Sequence, residues 1–164
     1  MKPIHPMLVH FPIALLVLSV VVDLIAFFWG IEAIRSTGWW SLFGASLGGI
    51  LTALAGLYDM RRAELTQEVH ERVHRHMKVG FVLVSVISGL TAWRWQFYML
   101  AGGTVSAVYL DCAVLAVALA AFQGWLGGEL VYTYGTFVKQ VTARGATLGN
   151  APRGKKTAHH HKVE

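Results

Sequence analysis

Four apolar runs, each long enough to cross the hydrocarbon core of a bilayer, decide what this chain can fold into. They extend from about Met7 to Trp29, Trp39 to Tyr58, Met77 to Ala101 and Ser106 to Gly128, and a core about 30 Å thick needs roughly 20 helical residues. The connecting stretches, Gly30–Gly38 and Gly102–Gly103, are too short to hold a domain. The predicted fold is therefore all-α, a four-helix transmembrane bundle over residues 1–138. A basic tail follows over 139–164, rich in Gly, Lys and Arg, without apolar period and expected to be disordered. The run after Lys2 is longer than the apolar core of a signal peptide and has no obvious small-residue cleavage site, so it is expected to be retained as the first span.

Composition agrees. The chain is 55% hydrophobic and 14% charged, against roughly 45–50% and 25% for soluble proteins. Its net charge of +5 does not predict a nucleic-acid partner, because the basic residues flank the apolar runs instead of covering a folded surface. With the N-terminus placed inside, 12 Lys and Arg fall on the inner side and two, Arg35 and Arg94, on the outer. This is the distribution expected of a protein with both termini cytoplasmic. Trp29, Trp39, Trp40, Trp93 and Trp95 gather at the outer ends, as an interfacial belt does. The single cysteine, Cys112, lies in an apolar run and excludes a disulfide framework.

Small residues recur every four positions at Gly44 and Gly48, Ser85 and Gly89, and Ala116, Ala120, Gly124 and Gly128. Such stripes let helix backbones approach, within the bundle or across a homo-oligomer seam.

Ionisable groups at membrane depth are costly and require partners. Asp23 and Arg94 each lie about 16 residues beyond the start of an outward-running span, about 24 Å from the inner boundary at 1.5 Å per residue, so a structural ion pair is expected between them. Asp111 is the competing partner for Arg94, and snorkelling to the headgroups is the plainer alternative. At the inner boundary His5 and His10 enter the first span, Asp59 ends the second, His70, His74 and His76 lead into the third, and Glu129 and Tyr132 follow the fourth. Imidazoles and carboxylates in one layer suit a transition metal, with His5, His10, Asp59, His76 and Glu129 as donors or orienting groups. His10 and His76, at matched depth on different helices, also suit the two faces of a haem b. The plainer reading of His70 and His74 is a solvated amphipathic segment among charged residues, and His159–His161 reads as part of a solvated tail that holds metal weakly.

The block His5-Pro6-Met7-Leu8-Val9-His10-Phe11-Pro12-Ile13-Ala14-Leu15 resembles the opening of a bacterial membrane family, domain of unknown function 2231. The likeness continues through Asp23, Gly56 to Asp59, His76, Arg94, the run Gly127-Gly128-Glu129-Leu130-Val131-Tyr132 and Gly135, covering about residues 4 to 138. Tyr134 stands where the family often has a histidine, which removes one potential ligand. Some relatives are joined to c-type cytochrome modules, so the resemblance implies an electron-transfer setting.

Two function classes follow. One is a cofactor-binding membrane protein that holds haem b or a transition metal and exchanges electrons with a quinone or a cytochrome. The other is a non-catalytic accessory or assembly subunit of a larger membrane complex. Transport is less favoured, because no span is interrupted at its middle. No GxSxG or Walker A motif is present, and the reading leans away from an enzyme. His70-Glu71-Arg72-Val73-His74 does have H-E-x-x-H spacing, but it reads as a short charged loop without the cleft a zinc protease needs.

Overall fold

The computed structural model describes residues 4–63 and 67–133, with backbone only at 98 and 99. The tail readings, including Tyr134 and His159–His161, lie outside the described residues. Within them are helices α1 (His5–Leu8), α2 (His10–Trp29), α3 (Arg35–Arg62), α4 (Gln67–Arg94) and α5 (Ala107–Tyr132). A turn of 3-10 helix, Glu32–Ile34, precedes α3, and a widened π-helical segment, Trp95–Leu100, prolongs α4. They build four candidate spans of 25, 31, 31 and 26 residues, with α1 and α2 forming the first.

The break at Val9 has a local cause. Pro12 has no N–H to give the carbonyl of residue 8, so the helical ladder is interrupted there. Gly30 closes α2 in the left-handed region at φ 66°, which a residue with a side chain adopts only under strain.

The helices alternate in direction, and α2 packs against both α3 and α5, closing the ring. Leu16, Leu42, Leu83, Ile87, Leu110 and Ala113 fill the interior. Gly44 lies under Leu15, and Gly48 under Phe11 and Pro12, so this small-residue stripe is the α2–α3 seam. Ala116 and Ala120 are buried in the core as well. Ser85 is exposed, and Gly89 and Gly124 face open space, so these positions make no intramolecular seam. Outward-facing side chains are large and apolar, with Leu115 at 68% and Trp125 at 62% exposure. In water that surface would be untenable, and facing lipid it is the favoured arrangement.

Three helix boundaries correct the sequence reading. The segment around His70–His74, expected as a short charged loop, is helical: α3 runs to Arg62 and α4 begins at Gln67. Likewise α3 starts at Arg35, ahead of the expected Trp39. Apolar length marks where lipid ends, whereas helical hydrogen bonding continues into the polar layer as long as the backbone ladder is unbroken.

Candidate functional site

Each end of the bundle carries a polar cluster. At the tryptophan end, Arg94 Nη1 donates to Asp23 Oδ2, forming the expected ion pair with both side chains buried. Arg94 Nη2 donates to the carbonyl of Arg35 at 2.8 Å, and the Tyr109 hydroxyl lies 3.5 Å from Asp23 Oδ2. Gly38 leaves room for this: a Cβ there would collide with Asp23 Oδ1 and sit 3.1 Å from Arg94 Nη2. All four spans thus meet at one buried ion pair. Asp111, the competing partner, is exposed. Trp39 departs from the expected belt, being 5% exposed and stacked on Phe43, while Trp29 and Trp40 remain outside at 71% and 60%.

At the opposite, histidine end, the first span is anchored by Asp59. Its Oδ2 accepts from the backbone N–H groups of Ile4 at 2.8 Å and His5 at 2.9 Å, two of the donors that a helix start leaves without partners. His5 Nδ1 lies 2.9 Å from the carbonyl of Thr52. A carbonyl only accepts, so Nδ1 carries the proton and Nε2 is left as the basic nitrogen of the neutral ring. The His5 and His76 rings meet edge to face, centroids 6.0 Å apart at 87°.

Behind His76 stands Gln123, a residue the sequence reading missed although it is the lone amide side chain in the fourth apolar run. Its Nε2 donates to the His76 carbonyl at 3.0 Å and lies 3.2 and 3.1 Å from the two ring nitrogens. Gln123 Oε1 and Thr52 Oγ1 are buried without a hydrogen-bond partner among the described residues. Three glycines seat these groups: a Cβ at Gly56 would stand 3.0 Å from His5 Nδ1, at Gly127 3.2 Å from His76 Cε1, and at Gly80 2.9 Å from Gln123 Nε2.

The expected donor set is thereby redistributed. His5 and His76 face each other, and Asp59 supports His5 through its backbone. Glu129 pairs with Arg72 at 3.2 Å, while His10 and Tyr132 are exposed on the outside. Among the described residues no three His, Cys, Asp or Glu side chains converge as a metal-binding group, so His5, His10, Asp59, His76 and Glu129 do not form one cluster. The reason is rotation about the helix axis: five residues separate His5 from His10, about 140° of turn, so His5 faces the bundle and His10 the outside. His70 and His74 are on α4, not in a loop, with ring centroids 5.4 Å apart.

The comparisons with known proteins bear on the whole chain. A family model described as "predicted membrane protein", domain of unknown function 2231, matches residues 1–140. No curated protein and no solved structure matches the chain.

Proposed function

The chain belongs to this family of predicted membrane proteins, and we propose that it holds a redox centre between His5 and His76, near the cytoplasmic face of a bacterial inner membrane. The observation that carries the reading is the approach of two imidazoles from different spans, one already oriented by a backbone carbonyl. A hydrogen bond on Nδ1 fixes ring orientation and leaves Nε2 to ligate, an arrangement recurrent at metal-bound histidines. The excess of Lys and Arg in the 59–78 region and the tail supports the cytoplasmic placement.

The donor chemistry fits two groups. The His5 and His76 imidazoles would suit a haem b as its two protein ligands, whereas a closed tetrahedral zinc site takes four protein ligands. A single transition metal ion completed by water is the other fit, and it needs less separation of the rings than a macrocycle does. Either group would supply one-electron chemistry at a lipid boundary, where a quinone or a cytochrome could exchange electrons with it. Residues of this chain would orient the ligands: Thr52 holds His5, Gln123 holds the His76 backbone, and Asp59 fixes the start of the first span.

The test is an absorption spectrum with elemental analysis of detergent-purified protein, with a pyridine haemochrome assay to separate the two groups. Loss of the bound group in His5→Ala and His76→Ala, and its retention in His10→Ala, is expected. A sample with neither a Soret band nor stoichiometric metal overturns the proposal, and a stable complex co-purifying without cofactor would point to an accessory subunit.

A further inference from the structure

Helix α4 presents histidines on two faces. His76 turns toward His5 and Gln123, whereas His70 and His74, one turn apart, are exposed on the segment of α4 that precedes the apolar run beginning at Met77. At 1.5 Å per residue His70 lies about 10 Å beyond that run, so the pair stands in the polar layer or in water. Their ring centroids are 5.4 Å apart at an interplanar angle of 63°.

We infer that His70 and His74 form a bidentate site for a borderline divalent cation, Cu²⁺, Ni²⁺ or Zn²⁺, separate from the centre proposed at His5 and His76. Imidazoles at i and i+4 project from the same face of a helix, and these ions prefer nitrogen donors. Because both residues belong to one continuous helix, the second nitrogen is supplied without closing a loop. The surrounding charge permits it. At about 100° per residue Arg72 lies on the far side of the helix, where it joins Glu129, while Glu71 flanks the imidazoles and offsets the charge of the ion. The H-E-x-x-H order of residues 70–74 thus has a physical use that is not hydrolysis. A zinc protease needs a third protein ligand and a cleft that positions substrate, and here both histidines and Glu71 are exposed.

The experiment uses the full chain in detergent with His159, His160 and His161 replaced by Ala, so that binding by the tail does not count. Cu²⁺ is titrated in competition with a chromophoric chelator and its nitrogen couplings are read by electron paramagnetic resonance. One ion held by two imidazole nitrogens is expected. Its affinity should fall by roughly tenfold or more in either His70→Ala or His74→Ala, and stay unchanged in His5→Ala/His76→Ala. Both test positions are exposed, and circular dichroism confirms that the helices persist. Unchanged affinity in His70→Ala/His74→Ala, or no binding once the tail histidines are gone, overturns the inference. Loss of the His5–His76 centre with this ion still bound would refute the functional proposal alone.

Discussion

At the tryptophan end, Asp23 and Arg94 are 0% and 3% exposed and paired, with a carbonyl from α3 and a hydroxyl from α5 beside them. At the histidine end, His5 and His76 are only half-buried. Buried polar atoms without a hydrogen-bond partner among the described residues occur at both ends, Asp23 Oδ1 and Trp39 Nε1 at the first and Gln123 Oε1 and Thr52 Oγ1 at the second. The first cluster carries opposite full charges and joins all four spans. The second brings together two imidazoles, an amide and a carboxylate that holds backbone N–H groups, and among the described residues it joins no pair of opposite charges. A buried ion pair gives a bundle a fixed register, whereas at the other end His5 Nδ1 is directed at a carbonyl and the His76 ring lies against the Gln123 amide. The same chain therefore buries paired full charges at one end and half-buries two facing imidazoles at the other.

The strongest way to break that contrast is to remove one charge at the tryptophan end. Arg94→Met strands the Asp23 carboxylate in the interior, and a loss of about 3–5 kcal/mol is expected. Asp23→Leu combined with Arg94→Met should recover most of it, since replacing both charges with packed apolar groups is often neutral. Reversible unfolding in mixed detergent micelles measures both. If Arg94→Met is harmless, the pair is not the clasp described above.

Glycine substitutions come next. Gly38→Ala drives a methyl group into Asp23 and toward Arg94, and overpacking of this kind costs roughly 1–3 kcal/mol. Gly89→Ala meets open space on a helix of the same bundle and should be neutral or slightly stabilising, as the helix preference for alanine dictates. Equal effects of the two on unfolding would mean that backbone conformation, not the ion pair, sets the requirement at Gly38.

Smaller again is Asp59→Ala, which frees the N–H groups of Ile4 and His5 near the chain's start, where the lost bonds are partly replaced by water. About 1 kcal/mol is expected, the usual magnitude for losing a helix cap. Its signature should lie elsewhere, in faster amide exchange over His5–Leu8 with little change at Asp23. Uniformly faster exchange would show that the two ends unfold as one unit.

What the sequence made legible was depth. Four apolar runs fixed the spans, and counting helical rise from their starts paired Asp23 with Arg94 across 71 positions. Rotation about each helix axis was not legible, and it decided the other end. On a soluble helix the apolar stripe reveals which side faces inward, but in lipid both sides are apolar and the pattern no longer discriminates. So His10 was expected opposite His76, while His5, five residues earlier and so about 140° around the helix from His10, faces it instead. Gln123 could have been found by the rule that located Asp23, since a polar side chain deep in an apolar run requires a partner. Helix ends were missed for a third reason, because charged residues such as Arg61, Arg62 and Glu68 stay helical beyond the lipid.

The finest division between the ends concerns Tyr109, whose hydroxyl stands 3.5 Å from both Asp23 Oδ2 and Arg94 Nη1. At that separation each interaction is long for an O–H or N–H donor. Hydrogen bonds inside membrane bundles average only about 0.6 kcal/mol. The ring packs independently of the hydroxyl, edge to face with Trp93 at 6.1 Å and 4% exposed, so Tyr109→Phe keeps the packing and removes the oxygen alone. A loss near or below about 0.6 kcal/mol is expected in the same unfolding assay. If the loss approached that of Arg94→Met, the hydroxyl would be an essential member of a charge network. The tryptophan end would then depend on a neutral hydroxyl as much as on its two charges, and the contrast with the histidine end would narrow.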